Sequence, residues 1–224
     1  MPSIQLYDQL LQFPVFQGMS HEDLLKVVAY TRFDFVKISE RENLIHNGDE
    51  CNKLYFITSG TVKQTMYADN KKYLIEEYLQ APCVIQPERL FGLNLQYSVE
   101  VTAITNLNCF AISKEEIRNL SNNLMVFRIN LLNIYATLAQ KYQRYIWQPP
   151  AEGLPQRLIR FFVSHCSYPA GKKEFHILME RLADEMNDSR LDVSRALNQL
   201  QTDGFITLSR GVIHINALEK LIKR

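Results

Sequence analysis

Pro149-Pro150 is the feature that most restricts how this chain can fold. Proline lacks an amide hydrogen and its ring collides with the preceding helical turn, so no helix runs through that point. Before it, a helical pattern extends from about residue 124 to 147. After it, residues 151–224 are enough for one small domain. Ahead of the long helix the periodicity is of another kind. Short β-type runs occur at residues 34–38, 54–58, 62–67, 73–78, 98–103 and 109–112. Turn chemistry separates them at Asn47-Gly48-Asp49, Ser59-Gly60 and Ala68-Asp69-Asn70. Many short strands at this spacing predict a β-barrel or jelly roll.

Helices flank the β-type zone. Residues 4–30 read as short helices, with Ser20 placed to cap a run through Leu24, Leu25, Val27 and Val28. Ser113 followed by Glu116 is a capping-box signature for another. The long helix carries Leu131, Ile134, Leu138 and Tyr145 in a/d-like spacing, flanked by Tyr135 and Tyr142. A lone helix between two domains with so wide an apolar surface is expected to cover the roll and also to meet a twin, which makes the chain a homodimer. The expected fold class is α+β: a β-roll or jelly roll, a long dimerisation helix and a small C-terminal domain. The boundaries fall at residues 1–123, 124–150 and 151–224.

Composition excludes more than it assigns. Apolar residues make up 46% and charged residues 22%, in the ordinary globular range. The apolar stretches are too short for a membrane span, and no basic segment leads into an apolar run at the N-terminus, so no membrane partner is expected and the location is read as cytoplasmic. Cys51, Cys83, Cys109 and Cys166 are scattered, without a Cys-x-x-Cys pair or a compact Cys/His cluster, so no metal ligand is assigned. An N-terminal cysteine group for an iron–sulfur cluster is missing, and His46 or Cys83 alone is a poor basis for haem. A jelly-roll enzyme would need His and carboxylate ligands in the roll, and residues 33–112 contain only His46. With no nucleophile–base pair or phosphate loop, no catalytic residue is assigned and no enzyme is expected. The net charge of +1 does not by itself suggest nucleic acid. Residues 1–150 hold 14 Lys/Arg against 15 Asp/Glu and residues 151–224 hold 11 against 9, an asymmetry in the right direction but small.

The stretch from 178 to 204, LMERLADEMNDSRLDVSRALNQLQTDG, has the pattern of two helices joined by a tight turn. Leu182, Ala183 and Met186 form the inner face of the first, and small Ala183 allows a close crossing. Asn187-Asp188 makes the turn, where asparagine tolerates the left-handed conformation. Ser189 caps the second helix, whose Val193, Ala196, Leu197 and Leu200 point inward. That leaves Arg190, Leu191, Asp192, Ser194 and Arg195 near its exposed N-terminal part, where a helix-turn-helix presents side chains to base edges. Residues 205–208 and 212–215 read as a hairpin turning at Ser209-Arg210-Gly211, a wing with Arg210 at its tip.

Two separate motifs resemble one family. S-R-L-D-V-S-R, followed by A-L-N-Q-L and D-G-F-I, is similar to the recognition helix and wing start of the Crp/Fnr superfamily, where S-R-E-T-V-S/G-R is usual. L-Y-F-I-T-S-G-T-V-K at residues 54–63 resembles that family's cyclic-nucleotide-binding-type roll, preceded by its Asn47-Gly48-Asp49 turn. The resemblance covers about residue 33 to the C-terminus and implies a winged helix-turn-helix regulator. Its partners would be double-stranded operator or promoter DNA, a second copy of the chain and RNA polymerase. It implies DNA contacts from Ser189, Arg190, Leu191, Ser194, Arg195 and Arg210, with Arg195 the main base reader. Arginine is the natural donor pair for guanine O6 and N7. Leu191 stands where the family commonly has Glu, so it cannot accept from cytosine N4, although it can touch a thymine methyl. Asp192 is read as a charge favoured by the helix dipole. Lys172 and Lys173 are candidate phosphate contacts.

In cAMP-binding relatives a Gly-Glu pair and an Arg-Ser/Ala pair hold the ribose and cyclic phosphate, and Thr-Ser on the long helix reads adenine. Here Gln86-Pro87, Tyr97-Ser98 and Tyr142-Gln143 occupy those places, so cAMP is not expected as the effector. Glu88 and Arg89 lie close enough for a shifted anion site. The candidate effector pocket is therefore Gln86, Glu88, Arg89, Tyr97, Ser98 and Tyr142, its ligand unknown. The alternative is a cyclic-nucleotide-type regulatory module acting on a protein partner, which the Arg190/Ser194/Arg195 pattern and the wing argue against.

Overall fold

The computed structural model describes residues 2–222. Helix α1 (Pro2–Leu10), a 3-10 turn at Pro14–Phe16 and α2 (His21–Tyr30) lead into eight strands. These are β1 (Asp34–Ile38), β2 (Asn43–Ile45), β3 (Lys53–Ser59), β4 (Thr61–Tyr67), β5 (Leu74–Gln80), β6 (Cys83–Val84), β7 (Glu100–Ala103) and β8 (Leu107–Ser113), with a 3-10 turn at Pro87–Arg89. Helices α3 (Lys114–Asn123) and α4 (Met125–Trp147) follow. The remainder is α5 (Gly153–Ser164), β9 (Lys173–His176), α6 (Met179–Met186), α7 (Arg190–Thr202), β10 (Ile206–Ser209), β11 (Val212–Ile215) and α8 (Leu218–Ile222). The fold is α+β: an N-terminal β-sandwich, a long helix and a C-terminal helix-turn-helix with a wing. No helix among the described residues is long and apolar enough to cross a membrane.

Two compact units are present. The first comprises the residues up to Val62, Gln80–Ser98 and Thr102–Trp147; the second comprises Lys63–Leu79, Val99–Val101 and the chain from Gln148 onward. In the first, the antiparallel order β1-β8-β3-β6 aligns Phe35, Phe110 and Phe56 across three strands. Side chains directly opposite in a sheet share one face, so these rings can meet. Phe56 and Phe110 stack at 4.8 Å, and Phe13 meets Phe56 edge-on at 5.1 Å. Between β3 and β4, Gly60 has φ +99, and a Cβ there would lie 2.7 Å from the Asn106 carbonyl oxygen. Only glycine supplies both that conformation and that clearance.

Helix α4 is fixed to the first unit by its N-terminal half. Phe127 packs against Phe16 at 5.4 Å, and Asn130 Nδ2 donates to the carbonyls of Val15 and Gln17 at 3.2 and 2.7 Å. These residues set which way the helix turns. Leu124, Phe127 and Leu131, at spacings of three and four, are all buried on that face.

The second unit is built on a sheet whose strands run β10-β11-β9-β5-β4-β7. Strand β5 pairs antiparallel with β9, placing Leu74 opposite His176, Ile75 opposite Phe175, Glu76 opposite Glu174 and Glu77 opposite Lys173. Ile75 thereby joins a core of Leu158, Phe162, Phe175, Leu182, Leu197 and Ile213. Hence the hairpin 63–79, which the sequence pattern assigns to the roll, completes the sheet of the C-terminal residues. Glu77 and Lys173 form an ion pair at 3.4 Å with no exposed side-chain surface. That corrects the expectation for Lys173, which is inside the fold and reaches no phosphate. Lys172 is held by Glu174 at 2.7 Å and lies over the Tyr78 ring.

Candidate nucleic-acid interface

The two-helix motif forms as its residues require. Leu182, Ala183 and Met186 of α6 and Val193, Leu197 and Leu200 of α7 are buried against each other and against α5. Asn187 ends α6 with φ +46, and its amide returns to the α6 carbonyls. Asp188 is tied to Arg157 of α5, which braces the turn. Ser189 then caps α7: its Oγ accepts from the Asp192 amide at 3.1 Å and donates to the Asp192 carboxylate at 2.6 Å. This reciprocal bond engages the Ser189 side chain within the helix cap.

Packing leaves one side of the N-terminal half of α7 to solvent. Arg190, Leu191 and Arg195 are exposed and Ser194 is half-buried. Arg195 Nη1 lies 3.3 Å from Asp192 Oδ1, a surface contact that orients the guanidinium at little energy. Leu191 is 59% exposed, an apolar side chain set among charged ones. The wing is attached to the same helix: Gln201 Oε1 accepts from the Leu208 amide at 3.0 Å. Ser209 Oγ and His214 Nε2 are 2.9 Å apart across the hairpin, and Arg210 is exposed at its turn. Arg190, Leu191, Ser194 and Arg195 thus share one helix, and Arg210 stands on the hairpin tied to it. The braces at Arg157–Asp188 and Gln201–Leu208 carry no signal in sequence spacing.

The candidate effector residues lie in the first unit, and most of their polar groups are already engaged. Gln86 is in the left-handed region at φ +36, and it exchanges two hydrogen bonds with Ser98. Gln86 Nε2 donates to Ser98 Oγ at 2.8 Å, and the Ser98 amide donates to Gln86 Oε1 at 2.9 Å. Tyr97 is buried and donates to the Lys53 carbonyl at 2.6 Å; burial pushes its phenol up. Glu88 and Arg89 lie on the 3-10 turn that packs against α4. Burial raises the Glu88 carboxyl, and the Arg89 Nε is enclosed without a hydrogen-bond partner. The Tyr135 hydroxyl of α4 is likewise enclosed and unpartnered, its phenol raised by burial and then by nearby Cys51 and Glu88. Tyr142, by contrast, is exposed beside Lys141.

The residues expected at the dimer seam of α4 differ in exposure within the single chain. Leu131 is only 7% exposed because it faces the core beside Phe127, and Ile134 and Leu138 are half-buried. The side chain of Tyr145 lies outside the described residues. The apolar residues that α4 presents to solvent are Met125, Ile129 and Leu132, with Tyr142 and Trp147 farther along.

Models of two protein families match the chain. The cyclic nucleotide-binding domain matches residues 35–123, and the Crp-like helix-turn-helix domain matches residues 156–224. The chain belongs to the Crp/Fnr superfamily of regulators. No curated protein matches it significantly. Among solved structures, it is similar to the catabolite activator protein of Thermus thermophilus, at 18% identity and TM-score 0.50 over 94% of this chain and 97% of that one. A protein assigned to the crp/fnr family of transcriptional regulators from Eubacterium rectale gives 19% identity and TM-score 0.53, covering 95% and 97%. The sensor domain of the transcriptional regulator DNR from Pseudomonas aeruginosa gives 16% and 0.53, covering 67% and 98%. At these identities the likeness is one of fold. The architecture is that of a Crp-family transcription regulator, and its helix-turn-helix implies DNA binding.

Proposed function

We propose that the protein is a homodimeric, sequence-specific DNA-binding transcriptional regulator. The observation that carries this is the exposed N-terminal half of α7, where Arg190, Leu191 and Arg195 project from a helix capped by Ser189 and seated on α6. Each subunit inserts α7 into a major groove, Arg195 reading guanine and Leu191 meeting a thymine methyl. Arg210 of the wing reaches the flanking backbone. A DNA target places the protein in the cytoplasm, with RNA polymerase as its downstream partner.

The second copy meets α4 along Met125, Ile129 and Leu132, whose spacings of four and three make one stripe. The effector is not cAMP in the family's usual mode. Gln86 and Ser98 satisfy each other where relatives hold ribose and phosphate, and neither supplies an ionic partner for a cyclic phosphate. The unpartnered Arg89 Nε and Tyr135 Oη favour instead a ligand carrying hydrogen-bond acceptors, held beside Glu88. Selection from genomic fragments with purified protein, with and without a metabolite extract, tests this function. Enrichment of a two-fold symmetric site in either condition supports it. Enrichment in neither, with a protein partner captured instead, supports a regulatory module.

A further inference from the structure

The second unit holds a group of carboxylates and imidazoles that the DNA-reading surface does not use. Glu76 of β5 lies directly opposite Glu174 of β9, and Glu174 lies directly opposite His214 of β11. His176, two residues along β9 from Glu174, is on the same face. Two carboxylates directly opposite each other repel, so the seam favours groups or ions of positive charge beside it. His176 Nε2 is 3.3 Å from Glu76 Oε2 and 3.8 Å from Glu174 Oε2. Each of the three side chains offers a ligand atom within 4.8 Å of the others. The two carboxylates are only 13% exposed.

We propose that Glu76, Glu174 and His176 form a three-residue binding site for a divalent first-row transition ion. Tetrahedral donors about 2.0–2.2 Å from a zinc ion stand roughly 3.4 Å apart. The separations from His176 are within half an ångström of that value. Mixed imidazole and carboxylate donors suit zinc and its neighbours better than calcium or magnesium. His214 Nδ1 is 3.5 Å from Glu174 Oε1 and its Nε2 faces Ser209 Oγ, so it supports the Glu174 carboxylate from outside the three ligands. Lys63 and Lys172 bind the Oε1 atoms of Glu76 and Glu174, at 2.6 and 2.7 Å, and balance their charge. Both lysines retain exposed surface and swing to water when an ion enters, so the ion competes with them. The bound ion joins β5 to β9. Sequence spacing hides the site, because Glu76 is far along the chain from its partners and only the pairing of β5 with β9 unites them.

The test is titration of the reduced, full-length protein with Co2+ and then Zn2+, following visible absorption and calorimetric stoichiometry. One ion per chain is expected, with no thiolate charge-transfer band, and Zn2+ displaces Co2+. His176→Ala and the isosteric Glu76→Gln each lower affinity at least tenfold, Lys172→Met raises it, and His46→Ala leaves it unchanged. Circular dichroism verifies that each variant is folded. Zn2+ raises the melting temperature of the wild type and not of Glu76→Gln. Absence of saturable binding, a thiolate band, or unchanged affinity in both His176→Ala and Glu76→Gln overturns the proposal.

Discussion

Replacing Glu77 by leucine is expected to destabilise the second unit by about 3–5 kcal/mol, the usual cost of leaving a buried charge without its partner. Glu77 and Lys173 face each other across the β5–β9 pairing at 3.4 Å, both fully buried. The Tyr168 amide donates to Glu77 Oε1 at 3.4 Å, but Glu77 Oε2 and Lys173 Nζ have no hydrogen bond. At an effective dielectric near 20, opposite charges at this distance attract by about 5 kcal/mol. Removing both ions from water costs several kcal/mol each, so the pair as a whole is near balance. Losing either member is therefore expensive, while losing both is not. Lys173→Met should match the loss seen for Glu77→Leu. The double variant should lie within about 1 kcal/mol of the wild type or exceed its stability. Urea denaturation of the four proteins closes the double-mutant cycle. Single losses below about 1 kcal/mol, or a double variant equal to the sum of the two, would refute this account of the seam.

Leu132→Asp should leave the subunit folded, since that side chain is 55% exposed, and should shift light scattering from dimer to monomer. Leu131→Asp, buried beside Phe127, should instead lower the melting temperature sharply. Ser189→Ala removes the α7 cap and should cost about 1 kcal/mol in urea denaturation, weakening every DNA sequence alike. Gly60→Ala should cost about 1–3 kcal/mol, because the added Cβ meets the Asn106 carbonyl and the backbone stays left-handed; unchanged stability would mean that the β3–β4 turn relaxes freely.

Local signals were legible in the sequence wherever one residue type answers one backbone need. Ser20, Ser113 and Ser189 each accept the amide three residues on, as capping chemistry predicts. Asn187 takes the left-handed turn between α6 and α7, and α4 ends at Trp147 before the proline pair. What escaped was long-range. Strand β9 is only four residues long, Lys-Glu-Phe-His, with Phe175 its single apolar side chain, and it exists because β5 and β11 flank it. Lys173 reads as a surface lysine until that pairing places it opposite Glu77. Leu131, Ile134 and Leu138 carry a proper heptad spacing, but spacing cannot tell which partner a stripe meets. Phe127 and Asn130 turn Leu131 inward, while Ile134 and Leu138 stay half-buried. The exposed set on α7 was legible because a capped helix with a one-sided core leaves only one side exposed. The effector residues were less so, since the bonds exchanged by Gln86 and Ser98 depend on two segments twelve residues apart.

The most direct test of the central claim is to repeat the DNA selection with Arg195→Ala beside the wild type, at the same salt and with the same extract. The wild type should enrich a symmetric site with half-sites about one helical turn apart, each containing an invariant guanine. The variant should lose preference at that base while keeping the rest of the motif, at a cost of about 1–3 kcal/mol for the intact site. An unchanged motif, or equal weakening on every sequence, would contradict the assignment of Arg195 and of α7 as the reading helix.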